Sequence, residues 1–229
     1  MSGSELRAAR NKAGKSQVDA SRSVGVSQGY ISLLENGVRR VPAQLAKRFV
    51  RLYGLAPTAL PVEGDSWRFA KRGAQTLVEE LATLGYPGFS YLRSRKQKNP
   101  AEVLLSALSQ KDLESRLAEA LPWVLLHYPE LDRQWLVEQA RLHNLQNKLG
   151  FVVRLAREVA RRHERQNSGL QALADLESAL DESRLAREDT FCQESLSEAE
   201  RRWLREVRSP DAAHWNLLTD WTPKAVRYA

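Results

Sequence analysis

The sequence contains very few of the residues that build disulfides and metal sites. Its 229 residues include a single cysteine, Cys192, and four histidines. One cysteine cannot form an intramolecular disulfide, and the histidines lack the paired spacing that metal ligands show. We therefore expect no metal site and no cofactor.

Long apolar runs are also missing. A membrane-spanning helix needs about 18 uninterrupted apolar residues, and no stretch of this sequence approaches that length. The apolar cluster "LPWVLL" at 121–126, for example, ends at His127. The first ten residues carry charges where a secretory signal would need an apolar run. These features predict a cytoplasmic protein without membrane association.

Motifs for catalysis are absent as well. The sequence has no phosphate-binding Walker loop, no G-x-S-x-G nucleophile turn and no HExxH zinc motif. The scattered Ser, His and Asp residues follow no recognisable catalytic arrangement. The chain is therefore predicted not to be an enzyme.

Strand-type alternation of apolar and polar residues is not convincing anywhere, which predicts an all-α fold. Ser4, Ser16 and Ser27 are predicted to cap three short helices, and Pro42 is predicted to open a fourth that ends at Gly54. Further on, a capping box is predicted from Ser195 and Glu198. The later predicted helices span 66–84, 100–108, 112–127, 132–164, 169–188, 196–208 and 210–219.

Positive charge is concentrated near the N-terminus. Residues 1–62 hold ten basic and three acidic residues, which accounts for the whole net charge of +7. A polyanionic partner is therefore expected for this part of the chain and not for the neutral remainder. The segment "APTALPVEGDS" at 56–66 has the composition of a linker, so we predict one domain over 1–60 and a second over 66–229.

The stretch "SQVDASRSVGVSQGYISLLENG" at 16–37 is typical of a helix-turn-helix. Two short helices joined by a turn with Gly25 would cross steeply and leave the second helix free to enter a DNA major groove. Its outward positions would carry Gln28, Gly29, Tyr30, Ser32 and Leu33. Glutamine can pair with two atoms of adenine, serine can donate or accept, and leucine or tyrosine can rest on a thymine methyl. The inward positions are predicted to be Val18, Ala20, Val24, Val26, Ile31 and Leu34.

Several short sequence motifs at fixed spacing strengthen this interpretation. They are "LRAAR" near the N-terminus, Gly14, "SQ" at 16–17, "VGVS" at 24–27, "YIS" at 30–32, "ENG" at 35–37 and Pro42. Over residues 4–55 the sequence resembles the XRE family of Cro/CI-type helix-turn-helix regulators. The resemblance implies a lambda-repressor-like fold and double-stranded DNA as the partner.

The resemblance also implies roles for individual residues. Gln17 would contact phosphate and brace Gln28, while Gln28, Gly29 and Leu33 would meet base edges. Asn36, with Arg39 or Arg40, would grip the DNA backbone, and Arg10 and Glu35 would form an internal ion pair. The predicted DNA-binding set is Gln17, Ser27, Gln28, Gly29, Tyr30, Ser32, Leu33, Asn36, Arg39 and Arg40. Three departures are Ala20, where the family has a larger apolar side chain, Ser21, where it has a small apolar one, and Gly29, which has no side chain to read a base.

The second domain is predicted to be a helical bundle or irregular solenoid that dimerises or binds a partner. Residues 121–158 are similar to the C-terminal half of XRE-type antitoxins that pair with nucleotidyltransferase-like toxins. All six tryptophans follow the linker boundary, and Trp215 and Trp221 are the ones predicted for a partner surface.

Three functions remain open from sequence alone. The chain is predicted to be a sequence-specific transcriptional regulator, an autorepressor and antitoxin that binds an inverted repeat as a homodimer and captures a cognate toxin. The alternatives are a ligand-responsive regulator unrelated to a toxin and a protein-interaction module without DNA affinity.

Overall fold

The computed structural model describes residues 1–62, 73–92, 97–162 and 168–228. Over these residues the secondary structure is helical except for two strands of two residues each, so the predicted all-α class is confirmed. The chain divides into two compact units, Met1–Ser66 and Trp67–Ala229. Within the described ranges, no helix combines the length and the apolar character needed to cross a membrane.

Over residues 1–62 the N-terminal unit is a bundle of four α-helices around its own core, followed by a 3₁₀ turn at Pro57–Ala59. Leu6, Ile31, Leu34 and Phe49 are completely buried there. The predicted caps at Ser16, Ser27 and Gly54 are confirmed, but Ser2 rather than Ser4 caps the first helix through a capping box with Glu5. The helices are α1 (Gly3–Lys12), α2 (Gln17–Val24), α3 (Gln28–Glu35) and α4 (Ala43–Tyr53).

The C-terminal unit is organised around the long helix α9, which packs against α6, α7, α8, α10 and α12. Nearly every residue of α9 from Gln146 to Ala156 is buried, including Lys148, which forms an ion pair with Asp189. The helices are α5 (Ala74–Leu84), α6 (Pro100–Leu108), α7 (Ser115–His127), α8 (Arg133–Leu142), α9 (Gln146–Arg162), α10 (Ser168–Asp181), α11 (Glu198–Val207) and α12 (Pro210–His214). The strands are β1 (Asp189–Thr190) and β2 (Leu217–Leu218), which pair in parallel.

The predicted single helix over 132–164 is wrong, because the chain breaks between α8 and α9. Asn144 adopts a left-handed conformation with a φ of 57°. Just after the break, the Asn147 amide of α9 donates to the Leu185 carbonyl at 2.9 Å and accepts from the Leu185 N–H at 2.8 Å. Leu185 lies 38 positions further along the chain, so no local pattern contains this contact.

Other predicted boundaries also change. The helix predicted over 66–84 begins at Ala74, with residues 66–72 outside the described part of the chain. The helix predicted over 169–188 ends at Asp181, and a turn and an irregular segment lead from there to β1. The helix predicted over 210–219 ends at His214, and a turn leads from there to β2.

The prediction of Trp215 as a partner surface is wrong. Trp215 is completely buried and lies over Gly150 of α9, where a side chain would overlap the indole ring. Trp221 is half-buried against Phe191. Trp203 on α11 is instead strongly exposed.

Candidate nucleic-acid interface

The turn between α2 and α3 is built by local chemistry. A capping box between Ser16 and Asp19 begins α2, and Gly25 ends it with a left-handed φ of 72° that glycine adopts at little cost. Two residues later the Ser27 hydroxyl accepts a hydrogen bond from the Tyr30 backbone N–H at 3.2 Å and begins α3. The Ser27 side chain is therefore engaged in capping.

The inner face of α3 anchors it in the core, whereas its outer face is open. Ile31 and Leu34 are completely buried, while Gln28, Gly29 and Leu33 are exposed and Tyr30 and Ser32 are half-buried. The prediction that Val18 faces inward is wrong, because this side chain is 43% exposed. Ala20 and Ser21 are both buried, and the Ser21 hydroxyl donates to the Val18 carbonyl at 2.8 Å.

A chain of hydrogen bonds runs from the buried interior to the outer face of α3. Arg10 donates to both carboxylate oxygens of Glu35, from Nε to Oε1 at 2.6 Å and from Nη2 to Oε2 at 3.1 Å. The Gln17 amide donates to Glu35 Oε2 at 2.9 Å. Gln28 then donates from Nε2 to Gln17 Oε1 at 2.6 Å.

This chain orients Gln28. The ionised Glu35 can only accept hydrogen bonds, so Gln17 must turn its N–H₂ group inward and its oxygen outward. That oxygen takes one N–H of Gln28. The remaining N–H and the oxygen of Gln28 are the donor and acceptor that adenine N7 and N6 require.

Glu35 stays ionised in this position. Its burial would raise the pKa, but hydrogen bonds from Arg10 and Gln17 and the charges of Arg10 and Arg7 outweigh burial, so the pKa lies below the ordinary value. The negative charge on which the orientation of Gln17 depends is thus present at neutral pH.

The end of α3 carries a second group of predicted contact residues. Asn36 accepts a hydrogen bond from Arg7 and donates to the Ser32 hydroxyl at 3.3 Å. The Arg39 guanidinium lies 5.9 Å from the centre of the Tyr30 ring. Arg40 is exposed and forms no ion pair with any residue that the structure describes.

Sequence reasoning missed two residues that shape this surface. Arg7 reaches both Asn36 and Glu35, and its pairing depends on the packing of α1 against α3. Arg48 of α4 donates to the Val24 carbonyl at 2.7 Å and so satisfies the C-terminal end of α2. The second role could have been suspected from a basic residue near a helix end, but its partner lies 24 positions away.

Replacing Gly29 with alanine should stabilise the N-terminal unit. A Cβ at this position would meet no heavy atom within 4 Å, and alanine favours a helix over glycine by up to about 1 kcal/mol. We expect the thermal unfolding transition of this unit to shift upward by a few degrees. Gly25→Ala is the matched control and should lower the transition, because the φ of Gly25 is 72°. A lower transition for Gly29→Ala would contradict the open environment seen at α3.

Comparison with known proteins bears on the N-terminal unit. Residues 3–61 match a family model described as a helix-turn-helix domain. No curated protein and no solved structure shows a significant match to the chain. The match agrees with the capped helices, the glycine turn and the open face of α3, and the chain therefore carries an XRE-type helix-turn-helix domain over residues 3–61, the kind of domain found in DNA-binding regulators.

Proposed function

We propose that the protein is a sequence-specific transcriptional regulator that binds operator DNA in the cytoplasm as a homodimer. The observation that carries the proposal is the hydrogen-bonded chain from Arg10 through Glu35 and Gln17 to Gln28. It holds an exposed amide with one donor and one acceptor that no described residue occupies, at the start of a helix whose outer face is open. Such an amide is suited to reading adenine in the major groove.

Charge and helix geometry support the same function. The whole net charge of +7 belongs to residues 1–62, so this part of the chain attracts a polyanion. The N-terminus of α3 directs the backbone N–H groups of Gln28 and Gly29 outward, where a phosphate can bind them. The absence of a side chain at Gly29 lets the DNA approach closely, so we infer that phosphate contacts and DNA shape contribute to recognition.

We further propose that the regulator is a repressor. A DNA-binding domain joined to a second helical unit fits a protein that occupies its own operator and blocks transcription. Residues 63–229 are neutral overall, and the C-terminal unit within them is proposed to dimerise or bind a partner and to have no catalytic role. A dimer on an inverted repeat would place its two α3 helices about 34 Å apart.

The antitoxin hypothesis rests on the likeness of residues 121–158 alone. The family match ends at residue 61 and gives it no support. A groove of about 510 Å³ between α8 and α10 favours the ligand-responsive alternative. Two arginines of that groove already bind α10 carbonyl groups, Arg133 at Ala172 and Arg141 at Ala179, so we do not prefer it.

The test is a binding titration with the DNA upstream of the gene and with random DNA of equal length. We expect Gln28→Ala to lose about 1–3 kcal/mol of binding to the operator and to relax the preference for one base. Arg40→Ala should weaken binding to both DNAs alike and reduce the slope of log K against log salt by about one.

Arg51→Ala is the matched control for Arg40, because it removes the same charge from an exposed site on α4. It should change the salt dependence less than Arg40→Ala does. Equal binding of operator and random DNA by the wild-type protein would refute sequence-specific recognition. Unchanged base preference in Gln28→Ala would refute the role of Gln28.

A further inference from the structure

A second chain of polar contacts leads from Glu35 to the outer face of α3. The Arg7 guanidinium lies with Nε 3.6 Å from Glu35 Oε2, and its Nη2 donates to Asn36 Oδ1. Asn36 in turn donates from Nδ2 to the Ser32 hydroxyl at 3.3 Å. This chain therefore links the half-buried Ser32 to the same carboxylate that orients Gln28.

The packing of α1 against the end of α3 places Arg7. Gly3 is the first residue of α1 and lies so close to α3 that a Cβ would overlap the carbonyl oxygens of Leu34 and Glu35. Arg7 follows Gly3 by four residues and so lies on the same side of α1. The position of Arg7 beside Asn36 is therefore set by close contact between the two helix backbones.

The donors and acceptors of this chain can point only one way. A guanidinium has no acceptor, so Arg7 must bind the oxygen of the Asn36 amide. The amide N–H₂ group, which can only donate, then faces Ser32, whose oxygen accepts. A hydroxyl that accepts in this way keeps its proton for another partner, and no described residue accepts the proton of Ser32. Ser32 is thus left as a hydrogen-bond donor.

We propose that Arg7, acting through Asn36, makes Ser32 a donor to a DNA base, so that the protein disfavours cytosine at the position that Ser32 reads. Guanine, adenine and thymine each present an acceptor in the major groove, whereas cytosine presents only its amino group. Ser32 follows Gln28 by four residues on the same side of α3, about 6 Å along the helix. It therefore reads a base pair close to the one that Gln28 reads.

This inference deepens the proposed function and rests on it, because it requires that α3 binds the major groove. Selection from a pool of random-sequence duplex DNA by the full chain is the test. The position that Ser32 reads is the one whose base frequencies change in Ser32→Ala. The wild-type protein should bind duplexes with cytosine there about two- to tenfold more weakly than the others, which is the contribution of one hydrogen bond. Ser32→Ala should abolish this difference.

Asn36→Asp should reverse the polarity of Ser32. One oxygen of the new carboxylate can accept from Arg7 and the other from the Ser32 hydroxyl, so the serine proton turns inward and its lone pairs face the DNA. The base preference should then shift toward cytosine, whose amino group donates. The added negative charge should weaken binding to all duplexes alike, so the comparison is made between duplexes bound by the same variant.

Arg7→Met removes the guanidinium and keeps an unbranched side chain. It should reduce the discrimination against cytosine, because the Asn36 amide can then turn. Lys12→Met is the matched control, since Lys12 is an exposed cation on the same helix. It should weaken binding to all duplexes by the loss of charge and leave the discrimination against cytosine unchanged. Thermal unfolding checks that each variant is folded.

A wild-type consensus sequence in which no position responds to Ser32→Ala would overturn the inference. So would a position that depends on Ser32 but favours cytosine, or a base preference that Asn36→Asp leaves unchanged. Failure of the proposed function has a different signature, because the wild-type protein would then select no consensus sequence, and the inference would fail with it.

Discussion

Gly150→Ala should destabilise the C-terminal unit by about 3 kcal/mol, because the added methyl group has no space. The new Cβ would overlap three atoms of the Trp215 ring, Cζ2, Cζ3 and Cη2. Gly150 lies in the buried N-terminal half of α9, and Trp215 is completely enclosed, so neither backbone nor ring can move without disturbing the core. Urea denaturation followed by intrinsic fluorescence measures the loss.

A double substitution identifies the cause. Trp215→Leu alone should also destabilise the unit, because it leaves a cavity. It also removes an indole N–H that is buried without a hydrogen-bond partner among the described atoms. In Gly150→Ala with Trp215→Leu the two effects should partly cancel. Strictly additive losses would show that the two positions do not oppose one another.

Glu35→Ala should remove about 3–5 kcal/mol from the stability of the N-terminal unit. The Glu35 side chain is fully buried and that of Arg10 is only 12% exposed, so the substitution leaves a buried guanidinium without its counter-ion. A loss of this size is a large share of the stability of a domain of this length. Thermal or urea unfolding of the full chain would show the N-terminal transition shifting or disappearing.

Gln17→Ala separates folding from recognition. It keeps the Arg10 and Glu35 ion pair but removes the amide that orients Gln28. We expect a stability loss of about 1 kcal/mol, together with a weaker preference for the operator over random DNA. Full operator preference in Gln17→Ala would contradict the positioning role of the hydrogen-bonded chain.

The Glu35 carboxylate should make the stability of the fold depend on pH. The pKa of Glu35 is lowered in the folded protein from its ordinary value of 4.5, so its ionisation stabilises the fold above that value. This contribution is lost as the pH falls through the lowered pKa. Unfolding free energies measured between pH 7 and 3 should therefore decrease below about pH 4.5.

Glu35→Gln should reduce this decrease without abolishing it. Glu5 and Asp19 also have lowered pKa values, because they bond the backbone and hydroxyl groups of Ser2 and Ser16 in capping boxes. An unchanged pH profile in Glu35→Gln would show that Glu35 does not contribute.

Some helix caps were predicted correctly from the sequence and others were not. Ser16, Ser27 and Gly54 were predictable because a cap is a contact between residues a few positions apart. Near residue 197 the pattern Ser-x-x-Glu occurs twice, and the structure uses Ser197 with Glu200 rather than Ser195 with Glu198. Ser195 is engaged elsewhere, since its N–H and hydroxyl both donate to Asp112, 83 positions away. No local pattern contains that partner.

The all-α class, the position of the helix-turn-helix and the region of positive charge were predictable from the sequence alone, because they depend on short-range patterns. The separation of α8 and α9 at Asn144, the burial of Trp215 and the exposure of Trp203 depend instead on tertiary packing. The orientation of Gln28 is also a tertiary effect. It depends on hydrogen bonds that link Gln28 to Gln17, Glu35 and Arg10, and the last two lie 25 positions apart in sequence. These features depend on contacts between residues that are distant in sequence, and the periodicity of apolar residues along the chain does not predict such contacts.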